Sequence, residues 1–267
     1  MKTCPNCGAE NSDSAKFCGE CATALSTAKP IRSLETSTPA KKSSSIDAAS
    51  LARSILKKSS VLQGKRKADV MFVLDCTGSM QGEIDAIRDA ITGFADTINS
   101  DGVRVRVGLI EFRDRLIEEE HRVVTFAGEV FTNNPDIFRQ EVAKLKAGGG
   151  GDEPESSLDA LMLALRQPFA TDSNKVIVLI TDAPPHIPDK ETGSIEKVVT
   201  EIQSIGIQQL YLVMRTTDSS SQIYLKLLEG IKGMAFDLGN GDDFRTRAEH
   251  FRKTLMALGK TISVATR

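Results

Sequence analysis

No apolar run in this sequence approaches the ~20 residues that a helix needs to cross a bilayer. The first residues, MKTCPNCGAE, contain no apolar segment of the kind that directs secretion. The sequence also lacks an internal repeat, a Gly-x-Gly-x-x-Gly motif and a Walker loop, so nothing in it indicates a nucleotide cofactor. We therefore expect a cytosolic (cytoplasmic) protein without a membrane span.

The length of the chain limits the number of domains, and its charges are unevenly distributed. With 267 residues, 40% of them hydrophobic, the chain can bury one sizeable core and carry a small additional module. Residues 1–67 have 12 Lys and Arg against 5 Asp and Glu, whereas residues 68–267 have 22 against 31. A basic N-terminal arm can bind nucleic acid or an anionic surface, but basic residues in a Ser-rich segment more often only keep a linker solvated.

Four of the five cysteines lie close to the N-terminus, as Cys4-x-x-Cys7 and Cys18-x-x-Cys21. This spacing can close on one tetrahedral zinc ion. Two disulfides and a redox Cys-x-x-Cys pair are the alternatives, but a reducing compartment disfavours the first, and the second usually occurs once, beside a strand-helix unit. The segments CPNCG and KFCGEC resemble the short zinc ribbons that precede many bacterial multidomain proteins. The resemblance implies a structural Zn²⁺ in residues 1–25.

Residues 26–67 are rich in Ser, Thr, Lys, Ala and Pro. Such a composition has too few large apolar side chains to offset the entropy of ordering, so we expect a flexible basic linker. Within it, Leu51, Ile55 and Leu62 recur at near-helical spacing. They predict a short amphipathic helix that docks on the rest of the chain or on a partner.

From residue 68 onward, strand patterns alternate with helical patterns. VMFVLD, VRVRVGLIEF, KVIVLITD, QQLYLVM and GMAFDL are typical of buried strands, and helices are predicted at 82–100, 135–146, 154–166, 194–206, near 221–230 and at 242–260. The alternation predicts an α/β domain over 68–267, with a doubly wound, mostly parallel, Rossmann-like sheet. A further strand near HRVVTFA should form an antiparallel edge with VRVRVGLIEF.

Oxygen-bearing side chains occur in three loops of the predicted domain. The first and third loops follow predicted strands, and the second precedes a predicted helix. Asp75, Thr77 and Ser79 alternate in the first loop, DCTGSM, so their side chains can face one point. The second loop, AGGGGDEPE, contains Asp152, and the third loop begins at Asp182. Because ligands of open α/β sheets bind beyond the carboxyl ends of the strands, we expect these groups on one rim.

Each of these groups also has a purely structural interpretation. Thr77 or Ser79 can cap the helix near residue 82, Asp152 can cap the helix predicted from Pro154, and Asp182 can open a turn. Their conjunction on one rim instead indicates a metal site. Hydroxyl and carboxylate oxygens favour Mg²⁺, with Mn²⁺ or Ca²⁺ as alternatives, over zinc.

The segments DVMFVLDCTGSM, GLIEFRD, GGGGDEPESSLDAL and VIVLITDAPPH, in this order and spacing, resemble a von Willebrand factor type A (vWA) domain with a metal-ion-dependent adhesion site. The resemblance implies a Rossmann-like fold that holds Mg²⁺ with an Asp-x-Ser-x-Ser loop, a second-loop threonine and a third-loop aspartate. Here Thr77 replaces the first serine, and the third-loop aspartate corresponds to Asp182. Thr77 and Ser79 would bind the ion directly, while Asp75 and Asp182 would hold coordinated waters.

The second loop departs from the family pattern, because no threonine stands near its glycines. Asp152 is the obvious substitute, and it would place a third carboxylate beside Asp75 and Asp182. Three negative charges around a dication would make the capture of a partner's carboxylate less favourable.

Other residues of the rim are candidates for supporting roles. Arg113 and Asp114 end the second strand and would brace the site, contact a partner or form a surface ion pair. His186 would brace the third loop, and Cys76 should face the core as a small hydrophobic residue.

These observations favour a binding module without catalysis, tethered to the zinc ribbon. The family resemblance implies that bacterial intracellular members act as adaptors for ATPases or for other proteins encoded nearby. A phosphotransfer enzyme of the haloacid-dehalogenase type is one alternative, but it needs a second carboxylate two residues after Asp75, where Thr77 stands. Nucleic-acid binding through the ribbon and the basic arm is the other alternative, with Phe17 as the ribbon's aromatic stacking platform.

Overall fold

The structure is a computed structural model, and it describes residues 1–3, 10–12, 66–151, 153–239 and 244–266. The chain divides into two units, Met1–Ser54 and Ile55–Arg267, and each is described by itself. Several predictions lie outside the described residues: the four zinc-ligand cysteines, the amphipathic helix of the linker and the position of Asp152.

In the N-terminal unit, strands β1 (Lys2–Thr3) and β2 (Glu10–Asn11) pair antiparallel, with Lys2 opposite Asn11 and Thr3 opposite Glu10. The hairpin therefore brackets, in sequence, the CPNC segment that was predicted to supply the first two zinc ligands.

The described part of the second unit, here called the main domain, contains a six-stranded sheet in the order β5-β4-β3-β6-β7-β8. Its strands are β3 (Arg66–Asp75), β4 (Val103–Phe112), β5 (Arg122–Val124), β6 (Asn174–Ile180), β7 (Gln209–Met214) and β8 (Lys232–Asp237). All neighbours pair in parallel except β4 and β5. The prediction of a mostly parallel, doubly wound sheet with one antiparallel edge is confirmed. β3 begins at Arg66, two residues before the predicted start of the domain.

Alternate residues of the central strand β3 serve opposite faces of the sheet, as the two-residue period of a strand requires. Val70, Phe72 and Leu74 belong to one hydrophobic core, and Met71 and Val73 belong to the other. The strand is therefore buried on both sides, which explains its nearly continuous apolar sequence.

Helices cover both faces of the sheet. They are α1 (Gln81–Ser100), α2 (Pro135–Val142), α3 (Ser157–Leu165), α4 (Ile195–Ile205) and α5 (Phe244–Thr266), with a 3-10 helix at Ser221–Leu228. α1, α2 and α5 supply side chains to one core, and α3, α4 and the 3-10 helix supply them to the other. In α5 the buried residues recur every three or four positions, which gives the helix one apolar stripe: Phe251, Leu255, Leu258 and Ile262.

One helix begins later than its sequence pattern predicts. The helix expected from Pro154 starts at Ser157, with Ser156 at its N-cap position, so the interpretation of Asp152 as its cap is wrong. The physical reason is a competing main-chain pairing: the N–H of Glu155 donates to the carbonyl of Pro184 (3.0 Å), and the N–H of His186 donates to that of Glu155 (2.9 Å). These bonds form an isolated parallel β-bridge between Glu155 and Pro185.

Candidate metal centre at the carboxyl edge of the sheet

The parallel register brings the ends of three strands together. Asp75, the last residue of β3, lies opposite Phe112 of β4, and Leu74 lies opposite Ile180 of β6. The loops that follow these strands therefore share one rim, as the sequence predicts. The second loop joins them through its main chain, since the N–H of Gly78 donates to the carbonyl of Gly149 (3.2 Å).

Asp75 is fully buried and receives three hydrogen bonds. The N–H and the hydroxyl of Thr77 donate to its Oδ1 (2.9 and 2.7 Å), and the hydroxyl of Thr181 donates to its Oδ2 (2.7 Å). Burial raises the pKa of Asp75 to about 6, although these hydrogen bonds lower it. A cation close to this carboxylate would favour its ionised form.

Ser79 connects the first loop to the third. Its hydroxyl donates to Oδ1 of Asp182 (2.9 Å) and lies 3.2 Å from the hydroxyl oxygen of Thr77. The structure thus brings Asp75, Thr77, Ser79 and Asp182 into one continuous hydrogen-bonded group. Ser79 is exposed and the other three are buried, so the group opens to solvent on the side of Ser79.

Asp182 also has a cationic neighbour that sequence reasoning missed. Nη2 of Arg215, in the loop after β7, donates to Oδ2 of Asp182 at 2.8 Å. The guanidinium supplies one positive charge to a rim that is otherwise rich in carboxylates. No local sequence signal connects these residues, because their contact depends on the pairing of β6 with β7.

Glu155 is a second residue that sequence reasoning missed. Its side chain is buried, 4% exposed, and its Oε2 has no hydrogen-bond partner among the described residues. Burial, followed by the charges of Asp75, Asp114 and other carboxylates, raises the pKa of Glu155 to about 8. A buried carboxylate without a hydrogen-bond partner lowers the stability of the folded state, and such groups in proteins usually have a partner. The sequence pattern concealed this residue, since Pro154 and Glu155 look like an ordinary first helical turn.

Arg113 and Asp114 support the loops. Nε and Nη2 of Arg113 donate to the carbonyls of Gly148 and Lys146, both at 2.8 Å, and thereby brace the second loop. Asp114 is buried and accepts a hydrogen bond from the N–H of Leu116 (2.8 Å), which caps the short turn after β4. One of its carboxylate oxygens lies 3.2 Å from Nε2 of His186.

Cys76 is fully buried between the first-loop positions, and burial raises the pKa of its thiol well above the usual range. This placement agrees with its expected role as a small hydrophobic residue.

The donor set of the rim fits a hard divalent cation. Among the described residues, no three His, Cys, Asp or Glu side chains form a cluster that could hold a metal by themselves. The rim instead combines hydroxyls with carboxylates, and oxygen donors of these two kinds suit Mg²⁺, Mn²⁺ or Ca²⁺. Oε2 of Glu155 adds a buried carboxylate oxygen that has no donor among the described residues.

Fold and rim together define a Rossmann-like α/β domain with a loop-built, oxygen-rich site. Residues 69–227 match the family model of the von Willebrand factor A domain, and the chain belongs to this family. Residues 3–25 match the model of a zinc-ribbon domain.

Two curated relatives illustrate the range of proteins that contain similar sequence. The von Willebrand factor A domain-containing protein 7 of Homo sapiens is 31% identical over 204 residues, which cover 73% of this chain and 21% of that protein. The alpha-protein kinase vwkA of Dictyostelium discoideum is 29% identical over 120 residues, covering 44% of this chain and 19% of that protein. The chain thus spans about a fifth of the length of these relatives.

Solved structures share the fold. A von Willebrand factor type A protein from Catenulispora acidiphila aligns with a TM-score of 0.51 and 20% identity, covering 72% of this chain and 42% of that one. The pilus adhesin SpaC from Lactobacillus rhamnosus GG, in an open conformation, aligns with a TM-score of 0.52 and 14% identity, covering 75% and 30%. In the described part of the chain, none of the helices combines the length and apolar character that crossing a membrane requires.

Proposed function

We propose that the main domain is a non-catalytic protein-interaction module whose binding depends on Mg²⁺, and that it is tethered to a structural zinc ribbon. The observation that carries the proposal is the hydrogen-bonded group of Asp75, Thr77, Ser79 and Asp182. It gathers two hydroxyls and two carboxylates from two loops that are far apart in sequence.

The exposure of the four residues supports a binding role for the ion. Three of them are buried, so their positions are defined by the surrounding loops, whereas Ser79 is exposed. A cation bound by Thr77 and Ser79, with Asp75 and Asp182 holding its waters, would keep a side open to solvent. A partner protein could complete the coordination there with an oxygen of its own.

The same contacts argue against phosphotransfer at Asp75. A nucleophilic carboxylate must reach its substrate, but Asp75 is fully buried and both of its oxygens are already oriented by hydrogen bonds from hydroxyl groups. Thr77, at the position of the required acid/base group, is buried, and its hydroxyl donates a hydrogen bond to Asp75. One relative is named as a kinase, and the chain spans 19% of that protein.

In the proposed organisation, residues 1–25 bind Zn²⁺ through Cys4, Cys7, Cys18 and Cys21, residues 26–67 form the linker, and residues 68–267 bind the partner. The protein would act in the cytoplasm as an adaptor or scaffold, for an ATPase or for another protein encoded nearby. The linker would let the ribbon and the main domain engage different surfaces.

Calorimetric titration of the full chain with Mg²⁺ tests the ion site directly. Wild type should bind about one Mg²⁺ in the main domain, and Asp75→Ala should not. A pull-down from native lysate, run with Mg²⁺ and with EDTA, then tests the interaction. The proposal requires a partner that wild type retains with Mg²⁺ but loses with EDTA, and that Asp75→Ala does not retain. Wild-type protein that binds neither Mg²⁺ nor Mn²⁺ would contradict the proposal.

A further inference from the structure

Among the described residues of the second loop, Glu155 places a carboxylate on the rim. Its main chain is held from both sides by the third loop, through the hydrogen bonds to Pro184 (3.0 Å) and from His186 (2.9 Å). The neighbouring Ser156 accepts a hydrogen bond from the N–H of Arg115 (2.9 Å), just after the end of β4. Glu155 therefore stands where the loops after β4 and β6 meet.

The side chain of Glu155 points toward the first loop. A Cβ atom placed on Gly150 would lie 2.8 Å from Oε1 of Glu155 and 2.9 Å from the methyl carbon Cγ2 of Thr77. Both groups therefore contact the same point of the second loop. Gly150 has a positive φ of 73°, and its missing side chain leaves room for the carboxylate beside Thr77.

The arginines of the surrounding loops bind other groups. Arg113 donates to the carbonyls of the second loop, Arg115 forms ion pairs with Asp159 and Glu191, and Arg215 binds Asp182. Meanwhile Oε2 of Glu155 lacks a partner among the described residues, although the side chain is only 4% exposed. A buried carboxylate oxygen without a donor is a position at which a bound cation or its water fits.

We propose that Glu155 is the second-loop ligand of the rim cation, acting on the ion or on one of its bound waters, and that Asp152 does not have this role. The inference rests on the cation site of the proposed function. The ion would then be bound by the hydroxyls of Thr77 and Ser79 and surrounded by three carboxylates from three loops. Those of Asp75 and Asp182 would act through its waters, and that of Glu155 directly or through a water.

The test is a calorimetric titration of the full chain with Mg²⁺, repeated with Mn²⁺, on wild type, Glu155→Gln and the matched control Asp152→Asn. Both substitutions exchange a carboxylate for an amide of the same size. We expect Glu155→Gln to weaken binding about tenfold or more, the range typical of groups that support a metal site, and Asp152→Asn to change it less than twofold. Thermal unfolding gives an independent readout: the rise in Tm on adding Mg²⁺ should shrink for Glu155→Gln alone.

The outcomes separate this inference from the proposed function. If Asp75→Ala abolishes binding while Glu155→Gln binds as well as wild type, Glu155 is not a ligand and the cation site still stands. If only Asp152→Asn loses affinity, Asp152 is the second-loop ligand. If wild type binds neither ion, both proposals are wrong. Glu155→Asp, which keeps the charge but shortens the side chain, should bind with intermediate affinity, and it replaces Glu155→Gln if that variant does not fold.

Discussion

The hydroxyl of Ser79 donates a 2.9 Å hydrogen bond to Oδ1 of Asp182, across a sequence separation of 103 residues. This bond joins the loop after β3 to the loop after β6, which are adjacent because the two strands pair in parallel. The exposed hydroxyl of Ser79 and the buried carboxylate of Asp182 are therefore in contact at the point where we expect the cation to bind.

Replacing Asp75 with Ala should abolish Mg²⁺ binding and also destabilise the fold. The residue is fully buried, and its removal leaves the hydroxyls of Thr77 and Thr181 without their acceptor. We expect a loss of about 1–3 kcal/mol in the free energy of unfolding without metal, measured by urea denaturation in EDTA. Asp75→Asn keeps one acceptor oxygen and should cost less stability while still lacking Mg²⁺ affinity. Undiminished Mg²⁺ affinity in either variant would exclude Asp75 from the site.

Replacing Ser79 with Ala should separate ion binding from stability. Because the side chain is exposed, losing its hydrogen bond to Asp182 should cost about 1 kcal/mol or less. Losing a direct ligand should weaken Mg²⁺ binding about tenfold or more in calorimetry. Ser204→Ala is the matched control, since Ser204 is also exposed and donates one hydrogen bond, within α4. Equal affinities for the two variants would show that Ser79 is not a ligand.

Replacing Arg215 with Gln should strengthen Mg²⁺ binding, on the order of three- to tenfold at low salt, because it removes a positive charge that competes for Asp182. The gain should diminish as KCl is raised, since part of the guanidinium is exposed to screening ions. Arg166→Gln, at the exposed C-terminal end of α3, is the control for a general change in net charge. Weaker binding by Arg215→Gln would instead show that Arg215 positions Asp182 for the ion.

His121 should make the metal-free protein less stable in mild acid. Burial, followed by the charge of Arg115, lowers the pKa of His121 from 6.5 to about 4. Protons therefore bind the unfolded chain first, so stability is full above about pH 6.5 and is lost as the pH falls toward 4, by at most about 3 kcal/mol.

The comparison that isolates this contribution is urea denaturation at pH 7 and pH 4.5, in EDTA, for wild type and His121→Gln. The raised pKa values of Asp75 and Glu155 act in the opposite direction, but they are common to both proteins. The variant should lose less stability than wild type between the two pH values. An equal loss would show that His121 does not contribute.

The zinc ribbon should be a closed structural site. We expect elemental analysis to find about one Zn per chain, and exchange of Cys4 and Cys18 for Ser to remove it, because four thiolates at this spacing saturate a tetrahedral ion. The Mg²⁺-dependent rise in Tm of the main domain should be unchanged in that variant. Zinc content that survives the exchange would contradict the assignment.

The fold and part of the site follow from the sequence itself. Long apolar runs such as VMFVL and VIVLI mark strands buried on both faces, and their separation by helical patterns implies parallel neighbours. Parallel neighbours end on one edge, so the loops containing Asp75 and Asp182 had to lie close together. The alternation of Asp75, Thr77 and Ser79 is likewise local information, because it requires only an extended loop.

Three features of the site depend on contacts between loops, and only the tertiary structure reveals them. The helix after the glycines begins at Ser157 because the main chain of Glu155 forms hydrogen bonds with Pro184 and His186 instead of helical ones. Local helix propensity does not predict that pairing. The same pairing turns Glu155 from an apparent first-turn helical residue into a buried carboxylate beside the first loop. The ion pair of Arg215 with Asp182 also exists only once β7 has paired with β6. The sequence by itself determined which strands deliver oxygen atoms to the rim, whereas the packing of the loops determined which further charges meet them there.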